Sequence, residues 1–89
     1  MITRDVTIVN KLGLHARAAA KLVTTASGFT SEIKLQKGPQ EVNGKSIMGV
    51  MMLAAAKGSR IRLKVSGPDE AEAADALEAL IRNRFDEQE

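Results

Sequence analysis

Cysteine, tryptophan and tyrosine are missing from these 89 residues, and proline and phenylalanine occur only twice each. Without cysteine there is neither a disulfide framework nor a thiolate cluster, and one histidine leaves no recognisable metal-ligand spacing. The two aromatic rings, Phe29 and Phe85, sit before a strand and at the chain end, far from the interleaved pattern that stacks on RNA, so no nucleic-acid partner is expected. They also contribute little to a core, which falls to Val, Ile, Leu, Met and Ala. No apolar run approaches the roughly 18 residues that cross a bilayer, and MITRDVTIVN lacks the apolar stretch of a secretory signal. A cytoplasmic location away from membranes is expected, and the absence of cysteine fits a reducing compartment.

At 44% hydrophobic and 27% charged, the composition is that of an ordinary globular chain, and residues 1–89 leave room for a single domain. No repeat or low-complexity tract interrupts it. The net charge of +2 hides a division. Residues 1–68 hold eleven Lys/Arg against three Asp/Glu, whereas residues 69–89 hold two against eight. The basic part invites phosphate, nucleic acid or acidic protein surfaces. The acidic part reads as a helix start followed by a solvated tail.

Alternation marks strands at 2–9, around Val6 and Ile8, at 31–37, around Ile33 and Leu35, and at 60–66, where Ile61, Leu63 and Val65 alternate with Arg60, Arg62 and Lys64. Gly38 and Pro39 turn the second strand into a short return strand at 40–43. Ala19, Leu22, Val23 and Ala26 recur at helical spacing over 16–27, and Gly28 stands at the stop. Ser46 caps a short helix running to about Leu53. Ser66 to Asp69 resembles a capping box before a third helix, striped by Ala73, Leu77, Leu80 and Ile81 and ending near Arg84. The order βαββαβα, with strands that have one wet face, predicts an α+β two-layer sandwich: a four-stranded antiparallel sheet covered on one face by three helices.

GPQEVNGKS imitates a phosphate loop but fails its spacing by one residue. The informative segment is GLHARAAAKLV. His15 directly precedes the first helix, whose opening turn offers unpartnered amides and the positive end of the helix dipole. An anion held there meets both, and a phosphoryl group is the natural one. A neutral imidazole can accept it covalently. Arg17 lies in the first turn, opposite the apolar stripe, free to fork onto phosphate oxygens. Gly13 lets the backbone turn before the helix. For an arbitrary sequence, however, a histidine beside a helix start is most often only a capping residue.

GLHARAAAKLV together with NGKSIMGVMMLAA, over essentially the whole chain length, resembles HPr, the histidine-containing phosphocarrier family of the bacterial phosphoenolpyruvate-dependent phosphotransferase system. The resemblance implies an open-faced sandwich in which His15 receives a phosphoryl group from enzyme I and passes it to EIIA domains, with Arg17 stabilising the phosphate. It implies that Ser46 is a regulatory phosphosite where an HPr kinase/phosphorylase is present. No cofactor or metal is expected. Ala18 departs from the family, most of whose members have proline there.

Ser46 is equally the residue expected at a helix start without any regulation. From Ile47 to Ala55 nearly every residue is apolar, covering about two-thirds of a helix circumference, more than a one-sided core uses. By the resemblance, Val50 and Leu53 face the core, while Ile47, Met48 and Met51 join Leu14 and Ala20 as a docking patch around His15. Flexible methionines suit a carrier, expected to be monomeric, that fits several partners in turn. The alternatives are a carrier of the nitrogen-related branch, a mainly regulatory relative acting through Ser46, or, least favoured, a small basic nucleic-acid-binding domain.

Overall fold

A computed structural model describes residues 1–88; Glu89, counted above in the acidic part, lies outside the described residues. Strands β1 (Ile2–Thr7), β2 (Glu32–Lys37), β3 (Gln40–Asn43) and β4 (Arg60–Ser66) form one antiparallel sheet in the order β1-β4-β2-β3. Helices α1 (Ala16–Ser27), α2 (Ile47–Met52) and α3 (Glu70–Arg82) complete the α+β sandwich in the order βαββαβα.

The register explains why alternation was readable. Val6 stands opposite Ile61, Ile33 opposite Val65 and Leu35 opposite Leu63, so all six side chains fall on one face and are buried. Against them lie Ala18, Ala19, Leu22 and Ala26 of α1 and Ala73, Ala74, Leu77 and Ile81 of α3. Small residues let these helices sit close to the sheet. The other sheet face carries cross-strand ion pairs, Asp5 with Arg62 at 3.0 Å and Glu41 with Lys64 at 2.7 Å. Arg4 shares the inward register of Val6 but stands on the edge strand, where its guanidinium pairs with Asp75 and Glu78 of α3.

Several element ends differ from the pattern-based expectation. β1 stops at Thr7, although Ile8 stays buried and its amide donates to the Ser59 carbonyl at 2.9 Å. Val23 and Leu80 are only partly buried, and the stripes shift to include Ala18 and Ala74. The capping box before α3 does not form. Asp69 is the N-cap residue but spends its carboxylate on Thr30 and Ser31, and Glu70 instead accepts from the Gly67 amide at 3.2 Å.

The largest correction concerns the chain end. α3 stops at Arg82, and Arg84, Phe85 and Asp86 follow as a tight turn with φ of 57°, 52° and 63°. Three successive non-glycine residues in the left-handed region carry strain that surrounding contacts must offset. Phe85 supplies much of that: it is fully buried and is the largest side chain in the core. The segment expected to be a solvated tail is docked.

Candidate functional site

α1 begins where Gly13 allows it. Gly13 has φ of 67°, and a Cβ there would lie 2.5 Å from the Ala55 carbonyl oxygen, so this close backbone crossing admits only glycine. The Leu14 amide donates to that same carbonyl at 2.8 Å. His15 follows as the N-cap residue in an extended conformation; its carbonyl accepts from the Ala19 amide at 2.8 Å while its ring makes no cap hydrogen bond. The ring is thus free of helix duties, and its side chain keeps 28% exposure.

Nε2 of His15 lies 2.5 Å from Oε2 of Glu87. The other carboxylate oxygen, Oε1, accepts from Nδ2 of Asn10 at 2.9 Å. Asn10 is fully buried beneath the site and also donates to the Gly13 carbonyl at 2.9 Å. The hydrogen bond from Asn10, then that with His15 and the nearby charge of Arg17, hold the Glu87 carboxyl below the usual carboxylate range. Among the described residues Nδ1 of His15 has no hydrogen-bond partner.

A depression of ≈ 340 Å³ is lined by Lys11, Leu12, His15, Arg17 and Glu87. Arg17 is exposed on the first turn and, among the described residues, its guanidinium has no hydrogen-bond or ion-pair partner. Arg17 and Ala20 also border an adjoining groove with Lys21 and Leu80. Such an arrangement offers an anion the opening amides of a 12-residue helix, one open guanidinium and one ring nitrogen.

Ser46 is the N-cap of α2, where its Oγ accepts from the Gly49 amide at 3.1 Å, and its side chain is half-buried. It does not line the depression at His15. Val50 of α2 and Leu53, its C-cap residue, face the core while Ile47 and Met51, each 41% exposed, and Met48 and Met52 face outward. Leu14 departs from its expected place: at 6% exposure its side chain belongs to the core beneath the histidine. Leu12, next to the histidine and exposed, is the apolar residue that the surface there presents.

Reading the sequence missed Asn10, Leu12, Phe85 and Glu87. Asn10 lies only five positions before His15, but its role depends on Glu87, which arrives from the opposite end of the chain. Lys21 and Lys45, basic residues near the starts of α1 and α2, are both engaged by backbone carbonyls. Lys21 donates to the Phe85 carbonyl at 2.8 Å and Lys45 to that of Phe29 at 2.6 Å.

Fold and site together define a small histidine-presenting α+β sandwich of the phosphotransferase type, with no group of three or more potential metal ligands among its described residues. The family model described as the PTS HPr component phosphorylation site matches residues 2–83, and the chain belongs to the HPr family of phosphocarriers. It is 60% identical over 89 residues, all of both chains, to the phosphocarrier protein HPr of Cupriavidus necator. The crystal structure of HPr-C-His from Thermoanaerobacter tengcongensis superposes with a TM-score of 0.96 at 46% identity, covering all of both chains. A crystal structure of an HPr dimer from the same organism matches with a TM-score of 0.79 at 49% identity, over 92% of this chain and 94% of that one.

Proposed function

We propose that this phosphocarrier bears its phosphoryl group on His15, taking it from phosphorylated enzyme I and handing it to EIIA domains in the cytoplasm. The observation that carries this reading is the histidine itself: an N-cap residue whose ring is released from capping and stands at the amide-rich end of α1 beside the open guanidinium of Arg17. The nucleophile is the ring nitrogen, and the reaction is a transfer in two halves through a phosphohistidine. Arg17 and the first-turn amides hold the phosphate oxygens. They do so at the surface, so the group remains transferable rather than trapped. No helix among the described residues is long and apolar enough to cross a membrane.

Ile47, Met48 and Met51, exposed on α2, and Ala20, half-buried on α1, form the surface on which successive partners dock. Ser46 is the regulatory phosphosite in cells that have an HPr kinase/phosphorylase. A phosphate there sits at a helix start, so it need not unfold α2, and it acts by repelling acidic partners.

Incubation with enzyme I and phosphoenolpyruvate tests the reading. An acid-labile gain of one phosphoryl group is expected by mass spectrometry, absent in His15→Ala and slowed in Arg17→Ala with the fold intact. A gain that persists in His15→Ala would sink the assignment.

A further inference from the structure

Glu87 reaches His15 across 72 positions of sequence, and it is held there by more than the ring. Phe85 is buried two residues earlier, its carbonyl receives Lys21, and Nδ2 of Asn83 donates to Asp86 at 2.8 Å to close the turn. The far oxygen of Glu87 is taken by Asn10. Asn10 in turn has one orientation. Its Nδ2 serves both the Gly13 carbonyl and Glu87, and turning the amide over would face Oδ1 onto the Gly13 carbonyl and onto the carboxylate, acceptor against acceptor.

An ionised carboxylate accepts hydrogen bonds and donates none, so the contact with His15 requires the proton on Nε2. A neutral imidazole protonated on Nε2 carries its lone pair on Nδ1, the nitrogen without a partner among the described residues. We propose that Asn10 and Glu87 are positioning residues: they fix the tautomer of His15 and so hold the Nδ1 lone pair ready for the transfer. Their part in the transfer rests on the phosphocarrier reading above, while the tautomer itself does not.

The transfer balances on these atoms. The Nδ1 lone pair forms the new N–P bond, and the bond from phosphorus to the donor's leaving group breaks, its electron pair departing with that group. The proton on Nε2 stays where it is. The ring therefore becomes cationic, and Glu87 already stands against it to balance the charge, as a buried carboxylate does for the histidine of a serine protease. When the group is handed on, the same contact returns the ring to its starting tautomer.

Glu87→Gln gives a result that simple loss of a contact would not. Asn10 still presents an N–H, so the amide oxygen of the new side chain turns to Asn10 and its NH2 group to the ring. Nε2 must then accept, and the proton moves to Nδ1. Glu87→Ala imposes no direction, leaving the preference of free histidine. In the full-length protein labelled with 15N at histidine, at a pH where the ring is neutral, the imidazole shifts should report Nε2–H in the wild type, Nδ1–H in Glu87→Gln and a mixture in Glu87→Ala. With phosphoramidate as donor, which loses ammonia and needs no partner protein, 31P and 15N spectra should place the phosphoryl group on Nδ1 in the wild type. Glu87→Gln should react about tenfold more slowly than Glu87→Ala if its Nδ1 lone-pair form falls to one in ten. Glu87→Gln that keeps the proton on Nε2, or reacts as fast as Glu87→Ala, would overturn the proposal. A wild type that takes no phosphoryl group would overturn the phosphocarrier reading and the part of these residues in the transfer, with the 15N shifts still deciding the tautomer.

Discussion

Lys21 of α1 donates to the carbonyl of Phe85, 2.8 Å away, so the helix that presents His15 also ties down the turn that returns to it. The two ends of the site are therefore set by one rigid element. Phe85 behaves as the anchor of that turn and as the largest side chain of the core.

Phe85→Ala should accordingly cost about 3–5 kcal/mol, the usual loss for emptying a large buried aromatic position. A domain of this length has roughly 4–13 kcal/mol in total, so urea denaturation should find the variant close to unfolding at ordinary temperature. A loss below about 1 kcal/mol would mean that the ring is not a core residue in solution.

Gly13→Ala meets the Ala55 carbonyl and a left-handed φ together. The expected loss is about 1–3 kcal/mol, accompanied by amide shifts in residues 13–17, since the crossing that sets the start of α1 must open. Chemical denaturation and an amide correlation spectrum read the two effects separately.

Asp69 links α3 to the segment before β2. Its carboxylate accepts from the Ser31 hydroxyl and from the Thr30 and Ser31 amides, which hold its pKa at about 2 against an ordinary 3.8. A depressed folded-state value means that stabilisation is complete above the unfolded value and is lost as pH falls through the window from about 4 to about 2. Wild-type stability should fall across that window, and the difference from Asp69→Asn should narrow as it does. Urea midpoints measured from pH 5 to pH 2 check the sign.

Ser46 has two separable roles. Ser46→Ala should cost about 1 kcal/mol through loss of the cap to Gly49, whereas Ser46→Asp keeps an acceptor there and should stay within about 0.5 kcal/mol. If the serine also regulates, Ser46→Asp lowers the rate at which enzyme I phosphorylates His15. An unchanged rate removes the regulatory role and leaves the cap.

Much of the fold was legible because it rests on local periodicity. Ile61, Leu63 and Val65 announce a strand with one wet face, and the stripe through Ala19, Leu22 and Ala26 announces a helix one residue after His15. Arg17 could be placed outward by the same periodicity. Legibility stopped where a residue's role depends on a distant partner. Nothing in the sequence around Asp69 says that it turns from its own helix to Thr30 and Ser31. Arg4 interrupts an inward register for the sake of Asp75 and Glu78, more than seventy positions away. Glu87 was counted among solvated acids because no pattern near residue 87 points to Asn10 or His15. The charge division was real as composition, yet the structure folds several carboxylates of the acidic part onto the basic one, Asp75 and Glu78 onto Arg4 and Glu87 onto His15.

The left-handed run at Arg84, Phe85 and Asp86 has a consequence for mutational tolerance. Valine, isoleucine and threonine, branched at Cβ, are ill suited to three neighbouring positions, whereas glycine or asparagine would relax the backbone at 84 and 86. A short polar stretch after the last helix would ordinarily be the most permissive part of a small protein. Here the range of acceptable residues narrows toward the chain end, and variants that look harmless in composition would be selected against by backbone shape alone.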